Sequence, residues 1–123
     1  MKVDRIGVSA LQNLIKGELT DNATCIVKFY SQECPMCLAL STYYTDIADS
    51  YDDEGLFFFA FNIQDVEKIE DYIDLNGVPT IVSFRGGPNR RVKVTTLEDP
   101  ETPNKKTWYY SKDIRSFVDK EKR

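Results

Sequence analysis

Apolar positions along this chain alternate between short unbroken runs and stripes at helical spacing. Lys2 and Asp4 alternate weakly with Val3 and Ile6, which predicts a short edge strand within residues 2–8. From Ser9 the spacing changes. Leu11, Leu14, Ile15 and Leu19 form one apolar stripe of a helix, and Ser9 with Gln12 has the pattern of a capping box. After the polar loop Thr20-Asp21-Asn22, the run Cys25-Ile26-Val27-Lys28-Phe29-Tyr30 is almost continuously apolar. Such a run suits a central strand covered on both faces. Helical spacing returns from Pro35 to about Tyr51, with Leu40, Tyr44, Ile47 and Tyr51 on one side and Gly55 as the stop signal. Leu56 to Phe61 is a second buried strand.

In the second half, Asp65 is expected to cap a helix carrying Val66, Ile69 and Ile73 and ending at Asn76-Gly77. Pro79 to Phe84 and Arg91 to Leu97 then read as an antiparallel hairpin turning through Arg85-Gly86-Gly87-Pro88-Asn89. The charged, proline-containing stretch Glu98 to Lys106 is a surface loop. Ser111 is expected to cap a last helix with Ile114, Phe117 and Val118 facing inward, and the tail Asp119 to Arg123 to fray into solvent. The order (β)αβαβαββα places the chain in the α/β class, with a central mixed sheet of four to five strands and helices on both faces. One domain spanning residues 1–123 is expected.

Composition narrows the function more than the fold. With 123 residues, 41% of them hydrophobic, the chain can bury one core without disulfide staples. A formal charge of −4 argues against nucleic acid as a ligand, because only the short Arg90, Arg91, Lys93 cluster is basic. The polar start Met1-Lys2-Val3-Asp4-Arg5 does not resemble a signal peptide, and no apolar run approaches spanning length, so a cytoplasmic protein without a membrane partner is expected.

Three cysteines remain, two of them in Cys34-Pro35-Met36-Cys37. Two thiols three residues apart at the opening of a helix reach each other across its first turn, so a disulfide can close and reopen there without moving the scaffold. Cys34 falls at the N-cap and Pro35 at the first helical position, where proline is well tolerated. The sulfur of Cys34 then meets unsatisfied N–H groups and the positive end of the helix dipole, both favouring thiolate. Cys34 is the expected nucleophile and Cys37 the resolving thiol. Cys25, with no partner nearby in sequence, reads as a small buried hydrophobe.

Taken with its flanks, the motif resembles the active site of the thioredoxin superfamily. Val27-Lys28-Phe29-Tyr30 leads through Ser31-Gln32-Glu33 into the cysteines, a second strand ends in Asn62-Ile63-Gln64-Asp65, and Gly77-Val78-Pro79-Thr80 opens the next. The resemblance covers nearly the whole chain and implies a thioredoxin fold and a thiol–disulfide oxidoreductase. It implies a cis Pro79 packed beside the disulfide, with Val78 offering its backbone to an extended substrate. It needs no cofactor and no metal. Its partners would be disulfide-containing client proteins, with a thioredoxin reductase or glutathione as electron donor, and a monomer is expected.

Departures from the family pattern are expected to tune the site. Glu33 stands where thioredoxins usually carry tryptophan, and proline takes the first position between the cysteines, as is common in glutaredoxins. The buried acid of the preceding strand and its lysine partner are replaced by Lys28 and Ala60. Lys28 could stabilise the Cys37 thiolate as a cation or accept its proton as an amine; alternatively it snorkels to the surface or pairs with a carboxylate such as Asp65. Glu33 would weakly oppose thiolate formation. Met36 is either a soft contact for clients or an ordinary helix residue, and Trp108-Tyr109-Tyr110 and Phe57 to Phe61 read as core or core rim. Two other readings compete: a non-enzymatic interaction module of the same fold, and metal or iron–sulfur binding through the cysteine pair, which would need further ligands.

Overall fold

Strand β2 (Ala23–Tyr30) lies at the centre of a five-stranded sheet, and its six interior residues from Thr24 to Phe29 are all buried, as the unbroken apolar run requires. The computed structural model describes residues 1–122. The strand order is β1-β3-β2-β4-β5, with β1 Val3–Arg5, β3 Leu56–Asn62, β4 Thr80–Gly86 and β5 Lys93–Thr96. β3 runs parallel to both β2 and β1, whereas β4 is antiparallel to β2 and β5. Three helices complete the order: α1 (Val8–Lys16), α2 (Pro35–Asp49) and α3 (Ser111–Glu121).

Alternation along the strands divides the interior into two halves. Ile26, Phe58 and Ile81 face α2 and α3, meeting Leu40, Tyr44 and Ile47 of one and Ile114 and Val118 of the other. Val27, Phe29, Phe61, Val82 and Phe84 face the opposite way, onto Leu11 and Leu14 of α1. Lys28, between Val27 and Phe29, therefore points to the α2 side of the sheet.

Several expected boundaries are corrected. α1 begins at Val8 because the carbonyl of Gly7 accepts the first helical bond from Leu11 N–H; Ser9 lies inside the first turn and the helix has no side-chain cap. α3 likewise starts at Ser111, with Tyr110 rather than Ser111 at the N-cap. The helix expected from Asp65 is replaced by two single turns of 3₁₀ helix, Ile63–Asp65 and Ile69–Asp71, separated by an extended Val66. Ile63, Val66, Ile69, Tyr72, Ile73 and Leu75 all pack on the α1 side from these turns and the chain around them. Asn62 Oδ1 accepts from Gln64 N–H and starts the first turn, while Asp65 is drawn away to Arg5.

β4 extends through Arg85 and Gly86, which pair with Thr24 and Ala23, so the hairpin turn moves later and β5 is shorter than residues 91–97. The tail does not fray at Asp119: Glu121 is buried and Lys122 binds Asp53 at 2.9 Å. Arg123 lies outside the described residues. Phe57 departs from the core reading; it is 48% exposed and stacks on Phe59 near the sheet edge.

Candidate active site

β2 ends at Tyr30, and the chain crosses into α2 through a turn held by short local bonds. Glu33 N–H donates to Ser31 Oγ, Cys34 N–H to the Ser31 carbonyl, and Gln32 N–H reaches across to Gln64 Oε1 at 3.0 Å. Cys34 is the N-cap of α2, with extended backbone and Pro35 next to it at the start of the helix. Cys37 N–H donates to Cys34 Sγ at 3.1 Å, so the sulfur stands in for a capping oxygen. The two cysteines form a disulfide with a Cα–Cα distance of 5.2 Å. Their exposure differs: Cys34 is half-buried, whereas Cys37 is 1% exposed. A backbone donor and the positive helix end on the accessible sulfur are what nucleophilic thiolate chemistry requires.

The loop before β4 forms the other wall. The Val78–Pro79 peptide bond is cis, and the Val78 carbonyl lies 3.8 Å from Cys34 Sγ. Pro79 is buried and Val78 half-buried. Gly77, at φ 133°, takes a backbone conformation that side chains rarely allow, and its carbonyl accepts from Thr80 Oγ1.

Behind the disulfide, Lys28 is only 4% exposed. Its Nζ sits 5.3 Å from the ring centre of Tyr30 and 5.2 Å from that of Tyr44. Among the described residues it forms no ion pair: Asp65, the suggested partner, holds Arg5 through both carboxylate oxygens at 2.9 Å. Burial pushes the Lys28 ammonium pKa down to about 8. Surface snorkelling is thus overturned, because two rings and α2 cover the side chain. Lys28, Tyr30, Tyr44, Arg5, Cys37 and Leu38 line one cavity of about 280 Å³.

A thioredoxin family model matches residues 9–104. The chain belongs to the thioredoxin family. A putative thioredoxin-5 of Dictyostelium discoideum is 25% identical over 72 residues, which cover 58% of this chain and 69% of that protein. The thioredoxin of Schistosoma mansoni superimposes with a TM-score of 0.68 at 14% identity, covering 97% of this chain and 94% of that one. That of Trichomonas vaginalis gives 0.66 at 17% identity, with 96% of both chains covered. At these identities the two structures establish a thioredoxin fold and nothing finer.

Within that thioredoxin fold, Cys34, Pro35, Met36, Cys37, Val78 and Pro79 gather at one end of the sheet. Glu33 and Pro35 are exposed and Met36 is half-buried. Cys25 is buried on the opposite, α1 side, and burial raises its thiol pKa to about 11. Tyr44 was legible only as core, although it follows Cys37 by two helical turns and so shares its face. Tyr30 and Arg5 carried no sequence signal for the site. Leu38, exposed at 59% beside Cys37, was also missed because it breaks the apolar stripe of α2.

Proposed function

We propose that this thioredoxin-family protein is a dithiol–disulfide oxidoreductase acting on protein disulfides. The observation that carries the reading is the Cys34 sulfur, half-exposed at the start of α2, receiving the Cys37 N–H while bonded to the buried Cys37 sulfur. In the reduced protein the Cys34 thiolate attacks one sulfur of a client disulfide, a Cys34–client bond forms and the other client sulfur leaves as thiolate. Cys37 then loses its proton and attacks Cys34, closing the Cys34–Cys37 bond and releasing the second client thiolate. Two electrons pass to the client. The client backbone lies along Val78 and Pro79, and Met36 and Leu38 offer apolar contact beside it.

A reductase or glutathione returns the pair to the dithiol, and no cofactor enters the cycle. The test is reduction of a protein disulfide with dithiothreitol as electron source. Cys34→Ser abolishes turnover, and Cys37→Ser accumulates a Cys34-linked mixed disulfide visible on a non-reducing gel. Turnover surviving in Cys34→Ser overturns the mechanism, and absence of turnover in the unmutated protein points instead to an interaction module of the same fold.

A further inference from the structure

The cavity shared by Lys28 and Cys37 adds a component to this reaction. A lysine is placed on the central strand, facing α2, with two aromatic rings over its ammonium and no carboxylate paired to it among the described residues. Its low exposure makes the charge costly unless an anion arrives. Cys37 lines the same cavity, and its thiol can become an anion there once the disulfide opens. Resting on the oxidoreductase reading above, we propose that Lys28 is the positioning residue for Cys37: its ammonium stabilises the Cys37 thiolate across the shared cavity and readies it to close on Cys34.

The remaining titratable groups facing the cavity are compatible with that role. Arg5, from β1, also lines it, but its guanidinium is engaged by both carboxylate oxygens of Asp65. Tyr30 extends from β2, and the hydroxyl of Tyr44, from α2, is engaged with the carbonyls of Ile26 and Phe59. Ala60 from β3, opposite Lys28 in the sheet, contributes no charge. The lowered Lys28 pKa, about 8, still leaves the group mostly cationic at neutral pH. In the resolving step the Cys37 proton goes to solvent through the cavity, the Cys37–Cys34 bond forms, and the Cys34–client bond breaks with the client sulfur leaving as thiolate.

Two measurements on reduced protein test this. The first is the Cys37 thiol pKa, taken as the difference in ultraviolet thiolate absorbance between Cys34→Ser and Cys34→Ser/Cys37→Ser proteins, which cancels Cys25 and the tyrosines. Adding Lys28→Met raises that pKa by about one unit, and adding Lys28→Arg, which keeps the charge, leaves it low. The second is the rate at which Cys37 displaces thionitrobenzoate from Cys34. At neutral pH Lys28→Met slows it about threefold, since a tenfold smaller thiolate fraction is partly offset by the higher nucleophilicity of a more basic thiolate. The rates converge once the pH neutralises Lys28. Circular dichroism establishes that each variant is folded, and Lys28→Gln replaces Lys28→Met if the latter is not. An unchanged Cys37 pKa in the charge-free variant overturns the proposal. Because that pKa is read without turnover, its failure is separate from failure of the oxidoreductase reading.

Discussion

A lysine ammonium enclosed by two tyrosine rings and a helix destabilises the folded state wherever it is charged, and at Lys28 the sign of the effect follows from its pKa. In the unfolded chain the group titrates near its ordinary 10.5, and in the folded protein at about 8. Below pH 8 both states carry the proton and the full penalty is present. Between 8 and 10.5 the unfolded state holds more protons, so stability rises with pH, and above 10.5 the penalty is gone. Its size is on the order of 3 kcal/mol, at 1.36 kcal/mol per pKa unit. Lys28→Met removes the charge while keeping the stem. In urea titrations the variant is more stable than the unmutated protein at pH 7, and the gap closes through the window from 8 to 10.5. A gap that does not change with pH would mean that packing, not charge, sets the difference.

Among the elements, the hairpin offers the sharpest contrast, because two adjacent glycines face different surroundings. A Cβ on Gly86 meets Leu19 and Val92 at 3.5 to 3.8 Å, ordinary contact distances. One on Gly87 would overlap Asn22 Oδ1, which is already bound by Arg90, and approach the Asn22 Cα at 3.1 Å. Gly87→Ala should lower the urea midpoint by the equivalent of about 1 to 3 kcal/mol, as overpacking does, whereas Gly86→Ala holds or raises it. Equal effects at the two positions would show that the loop at Asn22 yields freely. The same hairpin illustrates what sequence could convey. Arg85-Gly86-Gly87-Pro88-Asn89 read as the turn; that Arg85 and Gly86 still pair with β2 was not legible, since pairing depends on the partner strand. The cysteine motif and its place at the start of α2 were legible from local rules of capping and spacing, whereas the place of Pro79 beside it followed only from the resemblance to the thioredoxin superfamily. The true form of the segment after Asp65 was not legible, because Val66, Ile69 and Ile73 at helical spacing face the same side from two short turns broken by extended residues, and the Arg5 that takes Asp65 away from capping comes from β1. Whether Lys28 stays buried or snorkels was open in the sequence, because the two tyrosine rings that cover it come from elsewhere on β2 and from α2.

For the whole molecule, the decisive feature is that one sheet serves both halves of the interior. Each of β2, β3 and β4 contributes alternate residues to the α1 side and to the α2 and α3 side, so neither half has a scaffold of its own. Loosening one face must therefore reach the other through the strands they share. Leu11, 0% exposed on α1, and Trp108, packed against the α2 and α3 side, test this from opposite ends. Leu11→Ala leaves a cavity and costs about 2 to 5 kcal/mol. If the sheet couples the halves, Trp108 fluorescence reports that loss although it lies across the sheet from the substitution. Its urea transition moves to lower concentration together with the far-ultraviolet circular dichroism, with unchanged slope, as a single cooperative unit of this length should. A Trp108 transition that stays in place while the dichroism shifts would mean that the α1 side unfolds alone. The candidate site would then keep Cys34 and Cys37, which α2 carries, and lose the support of Val78, which packs on the α1 side, so the proposed exchange would survive there only if it did not need that wall. Coincident transitions instead tie the exchange activity to the integrity of the whole sheet, so that Leu11→Ala lowers the urea concentration at which activity disappears by the same amount as it lowers the unfolding midpoint.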